Sequence, residues 1–183
     1  MPNNYCVCCG EIIPEGRQVC PACEQGYNTN FIRGVSMKNK RKILFLSHTW
    51  GIVMTLIGYG ARFVFLCSGI KGTKYGFARV YRVGKGWGGL SLGTTIIVAH
   101  DSYTTSVIAH ELGHGIQNAM YGVFTPFIVS IPSAIRYHYR NHLWKKGIEP
   151  KTGYDDIWFE GQATKLGWEY IYGGQYEWKN LKK

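Results

Sequence analysis

Five consecutive residues, His110-Glu111-Leu112-Gly113-His114, have the types and spacing to hold a metal ion and use it. A helix turns once in about 3.6 residues, so imidazoles four apart project from one face and can share a cation. Glu111 follows the first imidazole, within reach of a water on that ion without being a ligand. A zinc ion acidifies its water, and a carboxylate so placed can take the proton. Val107, Ile108, Leu112 and Ile116 recur at helical spacing, with Asp101 or Ser102 as N-cap and Gly122 as a stop. Gly113 and Gly115 each cost about 1 kcal/mol against Ala inside a helix, which asks for a close approach by substrate or a neighbouring helix.

A catalytic zinc usually takes three protein ligands and keeps one position for water. The continuation H-E-x-x-H-x-x-G-x-x-H is excluded, because Gln117 and Met120 occupy its last two landmarks. His138, His142, Asp155, Asp156 and Glu160 are the candidates for the third ligand. Glu160 is favoured: it lies in the first turns of a helix expected over 155–172, where the small residues Gly161 and Ala163 let helices approach. The other readings of Glu160 are a surface partner of Lys165 or Arg140. A developing oxyanion could be steadied by His138, His142, Tyr137, Tyr139 or Tyr154.

His110-Glu111-x-x-His114 followed by E-x-x-A on a later helix resembles the gluzincin class of zinc peptidases. Phe159-Glu160-Gly161-Gln162-Ala163 resembles the ligand segment of membrane-associated CAAX-prenyl-protease-type endopeptidases. That resemblance implies Glu160 as third zinc ligand, Glu111 as base and a zincin-type domain acting on peptides or proteins. It covers two short motifs. The family usually places Asp after the Ala, to support a ligand histidine from behind; this chain has Thr164. Gln117 together with Ile131-Pro132-Ser133-Ala134-Ile135-Arg136 is more similar to uncharacterised bacterial H-E-x-x-H proteins, which imply no substrate.

Two further Cys pairs lie near the start. Cys6 with Cys9 and Cys20 with Cys23 form C-x-x-C knuckles, one with Gly10 in its turn and one stiffened by Pro21. Four thiolates at this spacing can close a tetrahedral zinc site, and so short a segment has little else to fold around. Residues 1–26 are therefore expected to form a zinc ribbon with a structural zinc, Cys8 being spare. Two disulfides are the alternative, but nothing marks this end for an oxidising compartment. No signal-peptide pattern opens the chain.

Residues 27–42 read as a basic linker, with Lys38, Lys40, Arg41 and Lys42 clustered, and 43–183 as the metallopeptidase-like domain. The apolar segment 43–70 is long enough to span a bilayer and follows basic residues, although His48 and Arg62 interrupt it. It is expected to enter or lie on a membrane, with the ribbon in the cytoplasm; the alternative is a wholly cytoplasmic protein. A second apolar run, 123–135, must fold back or pack inside the domain, because a single crossing would part His114 from Glu160. The stretch 136–144 is aromatic and basic, as suits an interface.

The strands must position the cleft. Residues 77–83 alternate and read as one strand, the glycine run 84–89 as a mobile turn and 90–98 as a second strand lining the cleft. In zinc peptidases an edge strand at this place holds the substrate extended by backbone pairing. The glycine run is no phosphate loop, since G-x-x-x-x-G-K-[ST] is absent. The expectation is thus an α+β, mainly helical zincin-like domain with a β-hairpin and an N-terminal zinc ribbon. It would hold one catalytic and one structural zinc. The rivals are a zinc-binding membrane scaffold without turnover, and a nucleic-acid binder using the ribbon and Lys38–Lys42, which would leave the H-E-x-x-H helix unexplained.

Overall fold

Thr94, Thr95, Ile96, Ile97 and Val98 are all β-branched, which stiffens χ1 and suits a pleated strand. In the computed structural model, which describes residues 4–5, 12–13, 39–150 and 152–172, this run is an inner strand of a four-stranded sheet. Two short strands, β1 (Asn4–Tyr5) and β2 (Ile12–Ile13), pair antiparallel near the start. Cys6, Cys9, Cys20 and Cys23 lie outside the described residues, as does most of the expected linker.

The sheet contains β3 (Thr73–Tyr75), β4 (Ala78–Arg82), β5 (Gly89–Leu92) and β6 (Thr95–Val98), in the order β3-β4-β6-β5. The expected hairpin between 77–83 and 90–98 is corrected here. Residues 90–98 divide at Gly93, whose φ of +64° allows a tight turn, and β5 and β6 form the hairpin themselves. β4 instead pairs parallel with β6, Val80 facing Ile96, so β5 is the edge strand. The 84–89 loop is tied down. Gly86 N–H donates to Asp101 Oδ2 at 2.8 Å, and Ser102 Oγ donates to the Trp87 carbonyl at 2.6 Å.

Asp101 and Ser102 therefore do not cap the metal-motif helix; they belong to a 3-10 turn, His100–Ser102. Thr104 is the N-cap, its Oγ1 accepting from Val107 N–H at 3.3 Å. The helix ends on Gly122, as expected, at a φ of +60°.

Helix α1 (Lys40–His48) begins inside the stretch expected as linker, and α2 (Ile52–Cys67) follows after a 91° bend. The segment 43–70 is thus two helices. The break is docked on the next helix: Asn118 Nδ2 donates to the Gly51 carbonyl at 3.0 Å, and Thr55 Oγ1 donates to the Ser47 carbonyl at 2.7 Å. Helix α3 (Thr105–Tyr121) carries the metal motif. A 3-10 turn (Gly122–Phe124) and a π turn (Pro126–Ser130) then swing the chain by 119° into α4 (Ile131–Lys145), so 123–135 does fold back. Among the described residues, no single helix is long and apolar enough to cross a membrane. The last described helix, α5 (Trp158–Tyr172), follows a 3-10 turn at Tyr154–Asp156.

α3 and α5 make the most extensive contact in the fold, and two glycines explain it. A Cβ on Gly113 would lie 1.8 Å from the Ala163 carbonyl oxygen, and one on Gly167 would lie 1.7 Å from that of Ala109. The two backbones therefore touch directly. Gly115 similarly gives way to the Gly93 carbonyl and the Phe77 ring, each 2.9 Å from where a Cβ would stand. Val80, Ile96 and Val98 of the sheet pack with Ile108, Leu112 and Trp168 in the core. Residues of the opposite parity meet α2: Thr95 sits against Gly58, and Tyr81 stacks on Phe65 with ring centroids 4.8 Å apart. The described residues therefore form an α+β fold of five α-helices and one mixed four-stranded sheet, beside the β1–β2 pair.

Candidate metal centre

The one-turn spacing on α3 brings His110 and His114 together, their rings perpendicular with centroids 4.6 Å apart. The backbone contact at Gly113 brings α5 close enough for Glu160, completely buried, to reach both. His110 Nε2 lies 3.0 Å from Glu160 Oε2, His114 Nε2 lies 3.2 Å from it, and the two Nε2 atoms are 3.1 Å apart. These residues form a group whose ligand atoms could hold one ion.

The back of each ring decides what its front offers. Gln117 donates from Nε2 to the Phe159 carbonyl at 2.7 Å and to Gln162 Oε1 at 2.9 Å. Its own Oε1 therefore faces His114 Nδ1, at 2.8 Å, and a carbonyl oxygen can only accept. His114 thus carries its proton on Nδ1 and turns a bare Nε2 lone pair to Glu160. On His110, Nδ1 lies 2.9 Å from Thr164 Oγ1, whose hydroxyl proton goes to Asp155 Oδ1 at 3.0 Å. His110 Nδ1 is then the donor, and its Nε2 is bare as well. Glu160 Oε1 accepts from Ser133 Oγ at 2.5 Å, whereas Oε2 is buried and accepts no hydrogen bond.

Three acceptors thus converge at 3.0–3.2 Å, an arrangement that repels unless something positive sits among them. A tetrahedral ion with bonds of about 2.0–2.1 Å sets its ligand atoms roughly 3.3 Å apart, which matches this triangle. Two imidazoles and a carboxylate are also the donor set zinc takes in hydrolytic sites. The residues fit the ion.

A proton competes for the same place. Burial alone would pull the His110 pKa down, but Glu160, Glu111 and Asp155 around it prevail and raise it to about 8. Burial would likewise raise Glu160, but the adjoining His110 and His114 rings outweigh it and hold the carboxyl well below the ordinary range. Glu111 is buried, and its pKa is raised, chiefly by that burial and less by Glu160, against the pull of the two histidines. Its carboxylate rests against β5: a Cβ on Gly89 would lie 2.6 Å from Glu111 Oε1.

Other candidates fall away. His138 and His142 are exposed on α4 and do not join the group, and Tyr137 and Tyr139 are exposed as well. Lys165 pairs with Glu169 at 3.8 Å, and Arg140 Nη1 donates to the Thr152 carbonyl at 2.6 Å, so neither reading of Glu160 as a surface ion pair holds. Asp155 stands behind His110, through Thr164, and not in the triangle. Gln117, Thr164, Ser133 and Gly89 are the residues sequence reasoning missed as parts of the centre. Their roles depend on contacts across helices, which spacing along one helix does not reveal. Comparison with protein-family models, with curated proteins and with solved structures finds no match for this chain.

Proposed function

We propose that the chain is a zinc-dependent metallopeptidase with a zincin-type arrangement of its α+β fold. The observation that carries this reading is the convergence of His110 Nε2, His114 Nε2 and Glu160 Oε2, all acceptors, with Glu111 buried next to them. His110, His114 and Glu160 would hold the ion. When bound, zinc supplies Lewis acidity that acidifies a water and polarises a carbonyl.

Glu111 takes the proton of the attacking water and later delivers it to the leaving amine, so the peptide C–N bond breaks and each product gains its share of the water. Its raised pKa suits both halves of that task. Gly89 leaves the carboxylate its place. The outer side of β5 has no strand neighbour among the described residues, so its backbone can pair with an extended peptide as substrate. The aspartate that the resemblance led us to expect behind the first histidine is replaced by Thr164 relaying to Asp155. A structural zinc on Cys6, Cys9, Cys20 and Cys23 belongs to the same proposal.

Two variants test the reading. Glu111→Gln is expected to keep its zinc and to lose about 10²- to 10⁴-fold in turnover of an unfolded casein substrate. Glu160→Ala is expected to lose the ion from this centre, measured as metal per chain. Turnover retained in the Gln variant ends the mechanism; no chelator-sensitive cleavage by the wild type would favour the catalytically silent scaffold.

A further inference from the structure

α2 is built inside out. Three of its polar or small positions, Thr55, Gly58 and Arg62, fall at i, i+3 and i+7 and face the protein, while Gly60 is exposed. Thr55 is fully buried and Gly58 lies against the Leu92 carbonyl. Arg62 donates from Nε to Thr95 Oγ1 at 2.7 Å and from Nη2 to the Thr94 carbonyl, and lies over the Tyr59 ring. The arginine that interrupts the apolar segment is therefore satisfied within the fold. The opposite face is apolar and uncovered: Leu56 is 59% exposed, Phe63 68% and Val64 58%. Water normally receives the polar face of a helix, not this one.

The second bent pair repeats the inversion. Phe127 is 68% exposed and Ile135 65%, with Phe124 and Ile131 also outside, whereas Thr125 and Arg140 are buried and Ser133 reaches Glu160. The patches join at Trp50, whose ring meets Phe124 at 6.0 Å between centroids and whose Nε1 donates to the Met120 carbonyl. Both pairs have the length and composition of a membrane span but are bent by 91° and 119°, the shape of a broken span or of a re-entrant loop.

Charge selects what covers this face. No Asp or Glu occurs between Glu24 and Asp101, nor between Glu111 and Glu149. Exposed bases bracket the apolar segments instead: Arg41, Lys42, Lys71 and Lys74 around the first, Lys145 and Lys146 after the second. Two copies meeting here would bring base against base. An anionic leaflet offers acyl chains to the apolar residues and phosphates to the bases.

We infer that the joined apolar face of α2 and of the 124–135 bend docks into one leaflet of an anionic bilayer, the chain entering and leaving on the same side. This surface stands whether or not the centre hydrolyses peptides, since its test measures binding alone. The full chain is incubated with sealed vesicles of phosphatidylcholine, with and without phosphatidylglycerol, and floated. The expected result is co-flotation with the anionic vesicles and much less with the neutral ones. Phe63→Gln and Phe127→Gln are each expected to weaken binding on the order of tenfold or more, while Phe63→Leu binds as the wild type does. Trypsin added outside is expected to reach both Lys42 and Lys71. The inference is overturned by no binding to anionic vesicles, by Gln variants that bind unchanged or a Leu variant that does not, by protection of only one of the two lysines, or by a vesicle-free dimer that the Gln variants dissociate.

Discussion

Thr164 stands behind His110, and its single hydroxyl does two things: it accepts from Nδ1 at 2.9 Å and donates to Asp155 at 3.0 Å. It thereby fixes which nitrogen of His110 is bare and passes the influence of a carboxylate to the ring. Partners of this kind typically alter metal affinity by 10- to 100-fold. Thr164→Val keeps the shape and removes both bonds, so it is expected to weaken zinc binding on that order, while Thr164→Ser keeps it. A competition titration with a chromophoric chelator measures both, and equal affinities for Val and wild type would deny the relay. The three side chains that cluster were legible, because a one-turn spacing and a carboxylate among small residues are local patterns. The relay was not: Thr164 and Asp155 join His110 only after α3 and α5 touch.

At the level of elements, that touch is the determining contact. Gly113 rests on the Ala163 backbone and Gly167 on the Ala109 backbone, with no space for a methyl group at either. A methyl forced into such a contact typically costs about 1–3 kcal/mol, and more where backbone must move. Gly113→Ala is therefore expected to lower the thermal midpoint and zinc affinity together, because the helices it parts carry the ligands. Calorimetry on metal-loaded and metal-free protein separates the two losses. The need for a close neighbour at Gly113 and Gly115 was readable from their cost in a helix. The strand pairing was not readable. Leu90 to Val98 looks continuous, and only the left-handed Gly93 divides it, so the edge strand beside Glu111 comes from the turn, and the parallel β4–β6 pair from the long excursion between them.

At the level of the molecule, the centre joins α3 to α5 across their shared contact, so its occupancy and the stability of the fold would be linked. His110 is raised to about 8 when Glu160, Glu111 and Asp155 act on it without a cation. Above that pH the ring is neutral and binding releases no proton from it; below it, a proton must leave. Apparent zinc affinity is expected to fall by about tenfold per pH unit as pH drops below 8 and to level off above it. The midpoint shift caused by a chelator should shrink over the same interval. A titration followed by calorimetry at several pH values reads both, and an affinity independent of pH would remove the proton as the competing occupant.

The triangle of 3.0–3.2 Å edges also acts as a gauge of ionic size. Helices in backbone contact have no slack to widen it. Calcium, with oxygen bonds of about 2.3–2.6 Å and a demand for six or more ligands, would have to prise α3 from α5. The same glycines that let two helices meet would thus favour a small ion over a large one in the proposed centre.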